Sequence, residues 1–322
     1  MIIVTGAAGF IGSCIAKELN YQKVENLLLV DLKVPKNSPY LMDMKYSKFL
    51  DADTFIKNLE QGKIKNIEAI IHMGACSSTT TYDRVFMMKN NFEYTRRLFD
   101  WCAKNNSRLI YASSAATYGD GSNGYSDDES KTKDNKPLNI YGESKQAMDV
   151  YAIEATSKPH QWVGLKFFNV YGPNEYHKGE MASVIFHAFN QIKKEGFIRL
   201  FKSYKKGYVD GEQKRDFVYV KDAIAIVLFF LNNPKINGIF NAGTGSARTF
   251  NDLAYATFDA MDLQRNIRYI EMPQTLKDKY QYFTHADMRK LRNVGYTKNF
   301  YSLEEGIRDY VVNYLAKGKL RY

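Results

Sequence analysis

The sequence predicts an α/β fold: a Rossmann-type doubly wound parallel sheet joined to a smaller mixed α/β lobe. Three observations predict it. A β-branched run, Ile2-Ile3-Val4-Thr5, leads straight into a glycine turn and then a helical pattern. Apolar strand-like runs then alternate with helix-like stretches up to about residue 173, the signature of parallel strands covered on both faces. After residue 173 the alternation loosens and the runs shorten. The expected division is a dinucleotide-binding domain over 1–173, with parts of 214–245 contributing, and a substrate-binding lobe mainly over 174–322.

Taken in order, the turn Gly6-Ala7-Ala8-Gly9-Phe10-Ile11-Gly12 comes first. Between strand and helix, Gly6 allows the tight turn, Gly9 lets backbone approach a pyrophosphate, and Gly12 lets helix and strand pack closely. The helix over 13–20 then points its N-terminus at the phosphates. Leu27 to Val30 form a second strand ending in Asp31, where a carboxylate accepts from adenosine ribose hydroxyls. An acid there favours NAD, while Lys33 and Lys36 offer charge for the 2′-phosphate of NADP, so both cofactors stay open. A short helix is expected over 53–61, and a third strand over 68–72 runs into small residues at 73–77. A long helix over 85–104 carries Asn90 and Asn91. A fourth strand, 108–112, runs into Ser113-Ser114, and a hydroxyl at the C-terminal end of a parallel strand points into the ligand crevice. Residues 120–136 read as a polar surface loop, a helix follows from Tyr141 to about Ala155, and a fifth strand spans 162–168. Beyond it, helices are expected near 180–195, 220–232, 249–262 and 302–316, and short strands near 198–201, 214–218, 237–241 and 267–271.

Composition narrows the class. With 45% hydrophobic and 25% charged residues over 322 positions, the chain can bury a large core and is not disordered. No apolar run approaches the roughly 20 residues of a membrane span, and the N-terminus enters a strand without a basic leader. Cys14, Cys76 and Cys102 match no metal or redox spacing and read as reduced thiols of a cytoplasmic protein. The five histidines show no metal-ligand pattern. The net charge of +10 is spread among acidic residues, which fits general solubility or an anionic small molecule. No nucleic-acid motif and no membrane segment accompany it.

The chemistry concentrates at Tyr141-Gly142-Glu143-Ser144-Lys145. On a helix, Tyr141 and Lys145 lie one turn apart on one face. An ammonium beside a phenol favours the phenolate, so Lys145 is expected to lower the Tyr141 pKa. Tyr141 then takes a proton from a sugar hydroxyl while hydride leaves the same carbon, which calls for a nicotinamide site.

These strings together resemble the extended short-chain dehydrogenase/reductase superfamily: the turn at 6–12, Ser114 before Tyr118-Gly119, Tyr141-x-x-x-Lys145, and Asn169-Val170-Tyr171-Gly172-Pro173. Further strings extend nearly end to end. They are Gly74-Ala75-Cys76-Ser77-Ser78-Thr79-Thr80, His177-Lys178-Gly179-x-Met181-Ala182-Ser183, Lys214-Arg215-Asp216-Phe217-Val218-Tyr219-Val220 and Tyr280-Gln281-x-Phe283-Thr284-x-Ala286-Asp287. They resemble the ADP-L-glycero-D-manno-heptose 6-epimerase family. The resemblance implies inversion at C6 of an ADP-heptose through a transient 6-ketone with tightly bound NADP, serving the inner core of lipopolysaccharide, in a homo-oligomer, a pentamer. It implies Tyr141 and Lys178 as acid/bases, Lys145 as the Tyr141 partner and Ser114 as the group that polarises the C6 oxygen. Cofactor contacts carried over are Gly6, Gly9, Phe10, Ile11, Gly12, Asp31, Leu32, Lys33, Met73, Gly74, Ala75, Cys76, Ser77, Asn90, Lys145, Val170 and Lys178. Substrate contacts carried over are Ser78, Asn169, Glu180, His187, Phe201, Lys202, Ser203, Tyr204, Arg215 and Tyr280.

The residues alone read some of these differently. Lys178 by itself reads as a surface or phosphate-contact residue, His187 as a packed helix histidine, and Arg215 as an ion-pair partner of Asp216 or Glu212. The loop 202–213 is longer and more basic than the family pattern, and Glu180 is placed to raise the Lys178 pKa. A 4,6-dehydratase is disfavoured because Ala115 and Ala116 stand where elimination needs an acid and a base. A 4-epimerase remains the rival of the same fold. A non-catalytic dinucleotide-binding regulator is the rival of another class, disfavoured by the intact Ser114, Tyr141 and Lys145.

Overall fold

The structure, a computed structural model, describes residues 1–33, 38–78, 83–277, 280–319 and 321–322. Lys36, Thr79 and Thr80 lie outside the described residues. The strands are β1 Ile2–Thr5, β2 Leu27–Asp31, β3 Lys48–Asp51, β4 Ala69–His72, β5 Arg108–Ser114, β6 Gln161–Phe167, β7 Asn169–Tyr171, β8 Ile198–Phe201, β9 Lys214–Tyr219, β10 Gly238–Ala242, β11 Ala247–Thr249 and β12 Ile267–Ile270. The main helices are α1 Phe10–Tyr21, α2 Ala52–Glu60, α3 Arg84–Met87, α4 Tyr94–Lys104, α5 Ile140–Glu154, α6 Val184–Glu195, α7 Val220–Asn232 and α8 Phe250–Ala260.

Seven strands form one sheet in the order β10-β6-β5-β4-β1-β2-β3, and every pairing in it is parallel. Alternate residues feed two cores. Ile2, Val4, Leu29 and Ile71 pack on one face, and Ile3, Leu28, Val30 and Ile70 on the other. That is why these strands read as unbroken apolar runs. A three-stranded sheet, β11-β9-β7, and a parallel pair, β12-β8, lie beyond it. Among the described residues no helix is long and apolar enough to cross a membrane.

Several expectations are corrected. β3 is an extra edge strand in register with β2, hidden because its four residues begin and end on charge. β7 and β11, three residues each, gain strand geometry only from pairing with β9. The long helix over 85–104 begins at Arg84 and relaxes into a π turn over Met88–Glu93. The helix expected from 180 begins at Val184, after a 3₁₀ turn over Tyr176–Met181. The last one is α-helical only over Leu303–Tyr310 and continues as a π turn. The loop 120–136 is not simply a surface feature. Tyr125, Asp127 and Thr132 are buried, and the Tyr125 carbonyl and Asp127 carboxylate both bind Asn241.

Candidate active site

A cavity of about 440 Å³ opens at the C-terminal ends of β1, β2, β4 and β5, a size suited to a small ligand. One wall is the glycine turn. Gly6 has φ +66°, and a Cβ on Gly12 would sit 2.1 Å from the Gly6 carbonyl oxygen, so α1 can start this close only with glycine there. The first turn of α1 has no side-chain cap and no acidic residue, leaving its amides and dipole for an anion. Gly6, Gly9, Phe10, Ile11 and Gly12 all line the cavity. Asp31 lines it too, its carboxylate fixed by the Ala8 amide at 2.8 Å and the Leu32 amide at 2.7 Å. Uncapped helix, glycine approach and oriented acid together fit a dinucleotide.

The next wall follows β4. Met73, Gly74, Ala75 and Ser77 line the cavity, while the Cys76 backbone turns away to Asn91. The Asn91 side chain accepts from the Cys76 amide at 2.9 Å and donates to its carbonyl at 3.0 Å and to the Ser144 hydroxyl at 3.0 Å. The π turn matters here: neighbouring residues serve two directions, Asn90 into the cavity and Asn91 into this clamp. Behind lies His72, held between Thr5 and Thr95 at 2.6 and 3.0 Å. Burial, with Lys145 nearby, drives its pKa down to about 3, so it is a neutral ring.

α5 brings in the reactive groups. Its N-terminus is capped by Asn139, and a Cβ on Gly142 would lie 2.7 Å from the Ala116 carbonyl oxygen. That close approach sets Tyr141 against Ser114 at the end of β5. Ser114, Tyr141 and Lys145 all line the cavity. Lys145 Nζ donates to the Ala112 carbonyl at 2.7 Å and lies 6.0 Å from the Tyr141 ring centre. The expected electrostatics are corrected. Burial raises the Tyr141 pKa above its ordinary value, and the hydroxyl of Ser114, hydrogen-bonded to the phenol, acts the other way. Burial also lowers Lys145 to about 8, against the pull of Asp149 and Cys76. Desolvation is the largest cause of both shifts.

Lys178 reaches the same cavity from the 3₁₀ turn, its ammonium 5.4 Å from the Phe10 ring centre. Burial lowers its pKa, and the carboxylate that opposes this is Glu175, not Glu180. Glu175 is fully buried and accepts from the Gly172 amide, the Ser183 amide and the Ser183 hydroxyl, whereas Glu180 is exposed.

Leu32, Asn90 and Val170 also line the cavity, and Lys33, Cys76, Ser78, Asn169, Glu180 and His187 do not. Lys33 is exposed beyond β2, Asn169 is exposed at the start of β7, and His187 packs near Phe186 in α6. Phe201, Arg215 and Tyr280 come together outside the cavity wall. Phe201 and Tyr280 meet edge-on at 6.4 Å, and the buried Arg215 guanidinium sits 5.3 Å from Tyr280 and 5.6 Å from Phe250. Among the described residues it donates to the Lys214 carbonyl and forms no ion pair. The Asp216 and Glu212 alternatives are therefore corrected. Asp216 accepts from Thr244, Gly245 and Ala286, and Glu212 from Asn251. A buried cation without a carboxylate suits an anionic ligand. Beside this cluster, Lys202 pairs with Glu271 at 2.7 Å, the Ser203 amide binds Asp210, and the Tyr204 amide binds Tyr282. Sequence reasoning missed His72, Ser113, Phe168 and His177 as cavity residues. Only Ser113, in the Ser113-Ser114 pair at a strand end, carried a readable signal.

Comparison with known proteins agrees with this geometry. A family model described as the NAD dependent epimerase/dehydratase family matches residues 2–243. The ADP-L-glycero-D-manno-heptose-6-epimerase of Fusobacterium nucleatum is 52% identical, with 98% of each chain covered. The protein of the same name from Nitratidesulfovibrio vulgaris is 49% identical at the same coverage. The crystal structure of the Helicobacter pylori ADP-L-glycero-D-manno-heptose-6-epimerase superposes with a TM-score of 0.81 at 27% identity, covering 97% of this chain and 95% of that one. The chain belongs to the NAD dependent epimerase/dehydratase family and, within it, to the ADP-L-glycero-D-manno-heptose-6-epimerases.

Proposed function

We propose that the chain interconverts ADP-D-glycero-β-D-manno-heptose and ADP-L-glycero-β-D-manno-heptose by inverting C6 through a 6-ketone. The observation that carries it is the meeting of two proton-handling side chains, Tyr141 on α5 and Lys178 on the turn after β7, in one cavity that fits a dinucleotide. When bound, a nicotinamide dinucleotide supplies reversible hydride exchange at C6. The glycine turn and the α1 N-terminus would hold its diphosphate, Asp31 its adenosine ribose, and the 73–77 segment its nicotinamide half.

The chain's own groups manage the proton. Tyr141 takes it from, or returns it to, the C6 oxygen on one side. Ser114 donates to that oxygen as charge develops. Lys145, at about 8, is largely an ammonium at neutral pH and favours the phenolate once Tyr141 has given up its proton. A ketone that has turned over presents its oxygen elsewhere, and Lys178, on a separate element, is the group for that position. The ADP moiety is assigned to the residue 174–322 lobe, its diphosphate to Arg215, whose fork suits phosphate oxygens. NADP is the proposed form of the cofactor, a homo-oligomer the proposed assembly, and the lipopolysaccharide inner core the proposed destination of the product.

The test is incubation of the purified protein with ADP-D-glycero-β-D-manno-heptose without added cofactor. Chromatography follows the epimers, and mass spectrometry identifies any dinucleotide released on denaturation. Appearance of the L-glycero epimer with NADP released is expected. No conversion by protein that carries dinucleotide would shift the reading to 4-epimerisation of another nucleotide sugar.

A further inference from the structure

Behind the reactive groups lies a buried ion pair to which the reaction assigns nothing. Asp149 on α5 and Lys166 on β6 are 0% and 1% exposed and 3.0 Å apart. Such a pair is costly, since apolar replacements of similar volume are commonly neutral or stabilising. Its connections show what it gains. Asp149 accepts from the Ser113 hydroxyl at 2.7 Å and the Tyr111 hydroxyl at 3.1 Å, both on β5. Lys166 donates to the Thr117 hydroxyl at 2.7 Å, and Thr117 donates to the Ser114 carbonyl at 2.9 Å. Asp149 is also one helical turn beyond Lys145, which is one turn beyond Tyr141. The pair thus ties β6 to β5, which ends in Ser114, and to α5, which carries Tyr141 and Lys145.

We propose that Asp149 and Lys166 are a positioning pair for the reaction, fixing Ser114 against Tyr141 and supplying the counter-charge behind the Lys145 ammonium. This rests on the function proposed above. The groups that face Lys145 are Tyr141 and Asp149 on α5, His72 and Cys76 at the end of β4, and the Ala112 carbonyl of β5, with Lys166 of β6 engaged by Asp149. Of these, Asp149 is the carboxylate that favours the charged amine. Neutralising it makes Lys145 lose its proton at lower pH.

The experiment compares wild type with Asp149→Asn, Asp149→Glu and the double variant Asp149→Asn/Lys166→Met. Each is read by thermal midpoint, kcat against pH, and NMR titration of the Lys145 amine in ¹⁵N-lysine-labelled protein, assigned with Lys145→Arg. The double variant is expected to fold with an undiminished midpoint. Its kcat should fall roughly ten- to hundredfold, as for misplaced reacting groups, and the alkaline limb should move to lower pH. A folded double variant with wild-type kcat and pH profile would overturn the proposal. If the double variant does not fold, Asp149→Glu decides, because it keeps the charge and displaces it by one methylene. Lower kcat with an unmoved alkaline limb supports positioning, and wild-type kcat overturns it. If wild type itself shows no turnover, the functional reading fails separately. The Lys145 titration then decides alone: a lower midpoint in Asp149→Asn supports the pairing, and an unchanged one overturns it.

Discussion

The two acid/base side chains stand on different kinds of ground. Tyr141 lies in a 15-residue helix with a side-chain cap, packed on the Ala115–Tyr118 turn and backed by the Asp149 and Lys166 pair. Lys178 lies in a six-residue 3₁₀ turn that breaks at Gly179, with φ 53° and ψ −129°. Glu175 steadies that turn by joining the end of β7 to the N-cap of α6, and Tyr176 and His177 add hydrogen bonds to the Lys319 carbonyl and the Tyr40 hydroxyl. One base is placed by helical periodicity and the other by a buried carboxylate together with contacts from segments distant in sequence. The difference teaches that a two-sided reaction needs two groups in one cavity, but not two groups of equal rigidity.

The largest expected effect breaks the rigid side. Tyr141→Phe removes only the phenolic oxygen, so the fold and thermal midpoint should hold while kcat falls roughly 10²–10⁴-fold. A variant within a few fold of wild type would move the first proton transfer elsewhere. Lys178→Met tests the looser side, with kcat expected to fall roughly 10²-fold. If the loss appears only in KM, Lys178 binds substrate and does not move a proton.

A smaller change sharpens the comparison. Glu175 favours the protonated Lys178 amine. Glu175→Gln keeps the shape and removes that charge, so Lys178 loses its proton at lower pH. The alkaline limb of kcat, in the direction where Lys178 donates, should shift down by about one pH unit or less. An unmoved limb would reduce Glu175 to a structural brace.

The last effect is on stability behind Tyr141 and leaves the rate aside. His72 has an ordinary pKa of 6.5 and a folded value of about 3, so the unfolded chain binds its proton first. The stability it contributes is full above pH 6.5 and drains away as pH falls towards 3. The thermal midpoint of His72→Asn should therefore fall less steeply with acidification than that of wild type. Parallel curves would show that His72 is not held neutral.

The same contrast explains what the sequence reveals. The glycine turn, the Asp31 strand end and the Tyr141 helix are legible because each is local: one run of residues makes the element and carries the group. β3, β7 and β11 are three or four residues long and take their form from partners distant in sequence. The site around Arg215 gathers Phe201, Phe250 and Tyr280 from separate elements, so no window of sequence displays it. Lys178 was visible only through a family resemblance, and Glu175, which anchors its turn, through nothing local at all. The Tyr141 electrostatics were misjudged for a related reason: spacing shows that Lys145 is near, but not how deeply both groups are buried.

The most direct test of the account follows the hydrogen on C6 itself. ADP-D-glycero-β-D-manno-heptose carrying deuterium at C6 is converted by the purified protein in ordinary water, and the product is examined by mass spectrometry and NMR. The account predicts an L-glycero product that keeps its deuterium at C6. A product with solvent hydrogen at C6 would mean that the carbon is deprotonated and reprotonated, and would contradict inversion through a ketone in a site that holds a dinucleotide.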